Sequence, residues 1–160
     1  MSLLPSQEVE RTPPDKTRSA CEHFAENHRE LPKVLSQTEW RVQQRLFPGA
    51  QRCFADFLAE LDVHLRDEER ITSTVLDAFD ATLSAQIRLG NEILRRMAAL
   101  AQQAIQAQDC ELFASITSDL LGTLAAHRDQ EERRVFPLLE QLSRHGEEDI
   151  GPAPTPQSAS

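Results

Sequence analysis

The stretch His127-Arg128-Asp129-Gln130-Glu131 sets a histidine and a carboxylate four residues apart, so on a helix they stack on one face. That face is apolar on both sides, with Leu120 and Leu124 before the pair and Val135, Leu138 and Leu142 after it, at helical spacing. A buried glutamate is costly unless a positive group lies against it, and a buried imidazole needs partners for its ring nitrogens. A metal ion would satisfy both. The arrangement occurs twice: His64-Leu65-Arg66-Asp67-Glu68 continues a stripe of Phe54, Phe57 and Leu61 and leads on to Ile71. Any fold for this chain must therefore bring two His/Glu faces, and the apolar stripes that carry them, into one interior.

A third histidine follows the same rule. The first helical pattern buries Cys21, Phe24, His28, Leu31 and Leu35, and Pro32 interrupts it with a kink next to His28. His23 falls off the stripe, and His145 lies near the carboxyl end, so both read as surface residues.

Thr12-Pro13-Pro14-Asp15 has the form of a helix start, and Phe47-Pro48-Gly49 reads as the next turn. Thr72-Ser73-Thr74 carries residues that favour caps, which predicts a turn there and a third helix over 75–107 with Leu76, Leu83, Ile87, Leu94, Met97 and Ala101 inward. Asp109 is a plausible N-cap for the fourth helix. Little in the chain favours strands. The pattern predicts an all-α fold, an up-down-up-down antiparallel four-helix bundle over 13–145, between a disordered arm, 1–12, and a disordered tail, 146–160.

Counting along antiparallel helices puts the polar core residues at one level. From His28 to Pro48 is 20 residues, and from Pro48 to the middle of the His64/Glu68 pair is 18. Counted from its two ends, the third helix meets this level between Asp80 and Ile87. It contains no histidine. Glu69 and Glu132 lie off the ligand faces, near arginines, and read as solvated. Cys21 and Cys110 read as small apolar fillers.

Composition excludes several function classes. The formal net charge of −9 without a basic stripe argues against nucleic acid and against an anionic membrane surface. No apolar run approaches the length of a membrane span. Cys21, Cys53 and Cys110 are widely separated, with no CxxC and no recognisable signal sequence, which fits a reducing cytoplasm.

These residues resemble the hemerythrin-like family, the HHE cation-binding domains. The resemblance rests on His28-Arg29-Glu30-Leu31-Pro32, on His64-x-x-x-Glu68-Glu69, and on His127-x-x-x-Glu131 followed by Val135-Phe136-Pro137-Leu138-Leu139, and it covers about residues 15–143. It implies a non-haem di-iron centre in which His28, His64 and His127 are terminal ligands and Glu68 and Glu131 bridge. The same donors suit zinc or manganese. The chain departs from the family at the third helix, where Ile87 stands in the slot of an expected histidine. Asp80 is the first replacement candidate and Gln86 the next; without a replacement the resemblance implies one iron left open and weakly held, an incomplete di-iron or a mononuclear site.

The resemblance implies a protein that binds or senses dioxygen, nitric oxide or peroxide at an open metal position, rather than an enzyme. The alternative is a metal-free or degenerate bundle acting as an interaction or regulatory module. A peroxide-reducing or iron-sulfur-repairing enzyme ranks last, because the repair branch carries a cysteine in its amino-terminal segment and residues 1–17 have none.

Overall fold

A computed structural model describes residues 16–148, and within them the chain is helical with no strand. Four helical rods follow one another. The first is α1 (Lys16–Gln43). The second is α2 (Phe47–Ile71), a π turn (Thr72–Leu76) and the single turn α3 (Asp77–Phe79). The third is α4 (Ala81–Gln106). The fourth is α5 (Cys110–Gln130), a second π turn (Glu131–Val135) and α6 (Phe136–Glu148). The expected arm, the Thr12–Asp15 helix start and the tail beyond 148 lie outside the described residues. Helix α6 itself passes the boundary expected at 145.

The first turn falls at Gln44–Leu46, where Arg45 adopts φ 59°, and Pro48 and Gly49 lie inside the first turn of α2 rather than in the connection. Proline suits that place because the first amides of a helix have no intrahelical acceptor to lose. Pro32 lies within α1, which continues to Gln43; lacking an N–H, it leaves the carbonyl of His28 without its usual helical donor.

The second turn corrects the sequence expectation. The helix does not stop at Thr72-Ser73-Thr74. These hydroxyls bond back to the preceding turn, Thr72 Oγ1 to Glu69 O at 3.0 Å, Ser73 Oγ to Arg70 O at 3.1 Å and Thr74 Oγ1 also to Arg70 O, so would-be caps are accommodated within the helix. The Asp77 amide reaches back to Thr72 O, which widens the turn to π geometry. The rod ends at Asp80, whose carboxylate accepts the Leu83 amide at 2.9 Å as the N-cap of α4. Asp109 caps α5 in the same way, at 3.0 Å from the Leu112 amide, as its place in the sequence predicts.

Helix α1 packs on α2 and α5, and α4 packs on the same two. The interior divides into two apolar clusters. The larger contains Phe54, Phe57 and Phe113 with Leu31, Leu65, Leu94 and Leu124; the smaller contains Cys21, Leu76, Leu83, Ile87, Val135 and Leu139. Along every rod, buried polar residues fall between members of the two clusters. His28 lies between Cys21 and Leu31, Glu68 between Leu65 and Leu76, Asn91 between Ile87 and Leu94, and His127 and Glu131 between Leu124 and Val135. A polar layer thus interrupts the core at one level.

Candidate metal centre

Each side chain of this layer is aimed inward by the helical stripe on which it stands. His28, His64, Glu68, His127 and Glu131 are all buried, with Glu68 and Glu131 only 2% and 1% exposed. Two carboxylates so placed are costly without partners. Helical periodicity puts His64 one turn before Glu68, and His127 one turn before Glu131, on the apolar faces of their rods.

The nitrogens and oxygens converge. His127 Nε2 lies 2.9 Å from Glu68 Oε2 and 3.6 Å from Glu131 Oε1, and His64 Nε2 lies 3.8 Å from Glu68 Oε2. His28 Nε2 lies 2.5 Å from Glu131 Oε2, close but not aligned as a hydrogen bond. Ligand atoms of His64, Glu68, His127 and Glu131 all lie within 4.8 Å of one another. Neighbouring rings fix the imidazoles: Phe136 stacks on His28 at 6.2 Å, and Phe24 meets His64 edge-on at 5.5 Å. Phe136 follows the π turn that begins at Glu131, and its amide reaches back to Glu131 O. Pro137, next along, has no amide to extend the ladder.

Burial decides the protonation of this group. It pushes Glu68 up to about 8 and raises Glu131, and it pushes His64 down to about 4 and lowers His127. Neutral acids and neutral imidazoles are the forms that a low-dielectric interior favours. Neutral imidazole is also the form that ligates a metal, whereas each carboxyl must release its proton to do so.

Hydrogen bonding leaves the layer incomplete. His28 Nε2, both nitrogens of His64, Glu68 Oε1 and Glu131 Oε2 are buried without a hydrogen-bond partner. Buried polar atoms are rarely left so, and several at one place indicate a missing partner common to them. Imidazole nitrogens mixed with carboxylate oxygens form a donor set suited to a divalent first-row metal, and the group can hold such an ion. Its identity is not fixed by these donors, since iron, zinc and manganese all accept them.

Around the centre lies a second set of contacts. His28 Nδ1 approaches Glu132 Oε1 at 3.4 Å, so Glu132 orients a candidate ligand rather than facing only solvent. Glu69 departs from expectation as well. Arg95 of α4 grips it with two hydrogen bonds, at 2.6 and 3.1 Å, and holds its carboxyl below the usual range. Asn91 adds a weaker bond to Glu69 at 3.5 Å.

The third rod presents none of the replacements read from sequence. Asp80 is occupied as the N-cap of α4 and faces Arg134 at 3.8 Å, away from the grouped ligand atoms. Gln86 accepts from Gln130 and Arg134 at the surface. Ile87 is fully buried in the smaller apolar cluster. The polar residue that sequence reasoning missed is Asn91, fully buried, with Oδ1 unpartnered. Its place was readable, since Leu83, Ile87 and Asn91 recur at intervals of four on one stripe. The displaced turn hid it: moving the rod's start from Thr72-Ser73-Thr74 to Asp80 shifts the facing level from Asp80 towards Asn91. One residue earlier, Gly90 brings the α4 backbone against His127, where a Cβ would stand 3.3 Å from Nδ1.

No membrane-crossing helix occurs among the described residues. Comparison with protein-family models, with curated proteins and with solved structures finds no match to the chain, so its functional reading is carried by the geometry of this buried His/Glu centre.

Proposed function

We propose that the chain is a hemerythrin-like non-haem iron protein, an up-down-up-down antiparallel bundle that binds or senses dioxygen, nitric oxide or peroxide. The observation that carries this reading is the convergence of His28, His64, His127, Glu68 and Glu131 in a buried layer that leaves His28 Nε2, both His64 nitrogens, Glu68 Oε1 and Glu131 Oε2 without a hydrogen-bond partner. Short connections and the pairing of α1 and α4 each with α2 and α5 support the antiparallel arrangement.

In this reading the three imidazoles and the two carboxylates, each carboxylate within reach of imidazoles from two rods, would hold the metal. Bound iron would supply a redox-active Lewis acid. The chain's own side chains hold it, orient it through Glu132 behind His28, and exclude bulk water with the apolar clusters on either side. At this level α4 offers Ile87, Gly90 and Asn91, none of them a histidine or an acid, so the site is an incomplete di-iron or a mononuclear one. Such a shortage leaves positions for a small ligand, whereas a structural metal is fully enclosed by protein donors. A metal-free interaction module is the weaker reading, because it leaves this polar layer uncompensated. The three cysteines, none of them in a disulfide among the described residues, suit a cytoplasmic setting.

Metal analysis of protein produced with iron supplementation, together with its absorption spectrum in air, tests the proposal. The expected result is about one to two iron atoms per chain; less than about half an equivalent of any metal would overturn it. Stoichiometric zinc or manganese in place of iron would retain the metal site and overturn the redox reading.

A further inference from the structure

Helix α4 carries apolar residues on two sides. Leu83, Ile87, Leu94, Ala98 and Ala101 face the core, and on the opposite side Ala85, Leu89, Ile93 and Leu100 recur at helical spacing along the surface. Leu89, Ile93 and Leu100 are 63%, 42% and 51% exposed. The outer face of such a helix is ordinarily polar, and while single exposed leucines are common, a continuous apolar stripe marks a contact surface. This one starts at an open groove of about 430 Å³, lined by Ala81, Thr82, Ala85, Gln86 and Leu89, and ends at the projecting Leu100.

Charge does not close this face to another molecule. The whole chain carries −9, yet α4 holds three arginines and one acid, and each arginine has an acidic partner: Arg88 with Asp77 at 2.6 Å, Arg95 with Glu69 at 2.6 Å and Arg96 with Glu92 at 2.9 Å. Copies that repel one another elsewhere can therefore approach here. Arg96 lies on the stripe and Glu92 at its edge, on either side of Ile93 in the chain. Their contact joins Nε to Oε1 and leaves the terminal guanidinium nitrogens and Oε2 unengaged among the described residues.

We infer that α4 pairs with α4 of a second copy of this chain in an antiparallel, two-fold dimer. With the axis between Leu94 and Arg95, Leu89 of each copy stands opposite Leu100 of the other, Leu100 enters the groove beside Ala85 and Leu89, and Ile93 covers the stem of Arg96. The same register brings Glu92 within one residue of Arg96 of the other copy, so apolar and charged partners match at once. A parallel pairing would set Glu92 on Glu92 and Arg96 on Arg96, which like charge opposes. One half of the stripe offers a groove and an acid, the other half a projecting leucine and a base. That self-complementarity identifies the occupant as the same chain. A single helix pair is a small interface, so the dimer is weak and reversible. None of this depends on a bound metal.

Sedimentation velocity of the full chain, from about 5 to about 500 µM, tests the pairing. A concentration-dependent passage from monomer to dimer is expected. Leu89→Glu, at a position exposed enough that folding is not at stake, should stay monomeric over the whole range. Glu92→Arg and Arg96→Glu, each alone, should weaken self-association about tenfold or more through like-charge repulsion. An equimolar mixture of those two variants should dimerise again, since one then offers only bases along the stripe and the other only acids. Circular dichroism checks that every variant keeps the helix content of the parent. A monomer at the highest concentration overturns the inference and leaves the stripe to a different protein or to this chain's own terminal residues. A dimer that Leu89→Glu and both charge reversals leave unchanged overturns it too, by placing association on another face, and a mixture no tighter than either variant alone overturns the antiparallel register.

Discussion

His127 Nε2 lies 2.9 Å from Glu68 Oε2, closer than His64 Nε2, which shares a helix with Glu68 and lies 3.8 Å away. The tightest His/Glu contact to Glu68 thus joins two rods rather than two turns of one. Removing Glu68 should therefore separate metal binding from folding. In Glu68→Gln protein the buried acid is replaced by a neutral isostere, so metal-free stability should stay within about 1 kcal/mol of the parent. The stabilisation by saturating zinc should disappear, a loss of about 3 kcal/mol at a hundredfold excess over Kd. Thermal unfolding with and without zinc checks both; a full zinc-induced rise in the variant would remove Glu68 from the ligand set.

Metal-free protein should lose stability as pH rises above the acid range. Glu68 titrates near 4.5 when unfolded and at about 8 when folded. The folded state therefore holds an extra proton between those values, and the associated stability is complete below 4.5 and lost as pH rises to about 8. His64 acts in the opposite sense. Its value falls from 6.5 to about 4 on folding, so its contribution is complete above 6.5 and lost as pH falls to about 4. Stability should peak between these limits, and calorimetry in chelator should record a melting temperature lower by about 5 °C or more at pH 8.5 than at pH 6. Excess zinc should cancel that fall, since it binds the deprotonated carboxylates. A pH-independent melting temperature in chelator would contradict the burial of Glu68 as an acid.

Asn91→Ala should cost about 1–3 kcal/mol, because it opens space at a fully buried position and removes the amide that donates to Glu69. Metal affinity should fall about tenfold or more, since this amide belongs to the support around Glu68 and Glu69. Urea denaturation and competitive metal titration measure the two effects. An unchanged affinity would limit Asn91 to packing.

Asp80→Ala distinguishes a cap from a ligand. As the N-cap of α4, Asp80 should contribute about 1 kcal/mol to stability and nothing to metal stoichiometry. Urea denaturation alongside metal analysis gives both numbers, and a drop in bound metal without loss of stability would return Asp80 to the ligand set.

Helical periodicity made much of this protein legible in its sequence. His28, His64, Glu68, His127 and Glu131 each stand on an apolar stripe, and a stripe must be buried, so their meeting in one interior layer followed from spacing alone. The stretch from Thr72 to Asp80 was not legible in the same way. Serine and threonine favour caps when their hydroxyls serve the backbone ahead of them, yet here they bond to carbonyls behind them, and Leu76 is buried. Local propensity pointed to a turn; packing of the next apolar residue carried the helix onward.

The sequence by itself determined which side chains face inward on each helix, because that depends only on the 3.6-residue repeat and on the exclusion of apolar surface from water. Only the tertiary structure decided what faces the centre from the third rod. That depends on where the preceding helix ends, and the tertiary burial of Leu76 moved the end to Asp80, placing Gly90 against His127 and Asn91 beside Glu69, with Asp80 away from the centre.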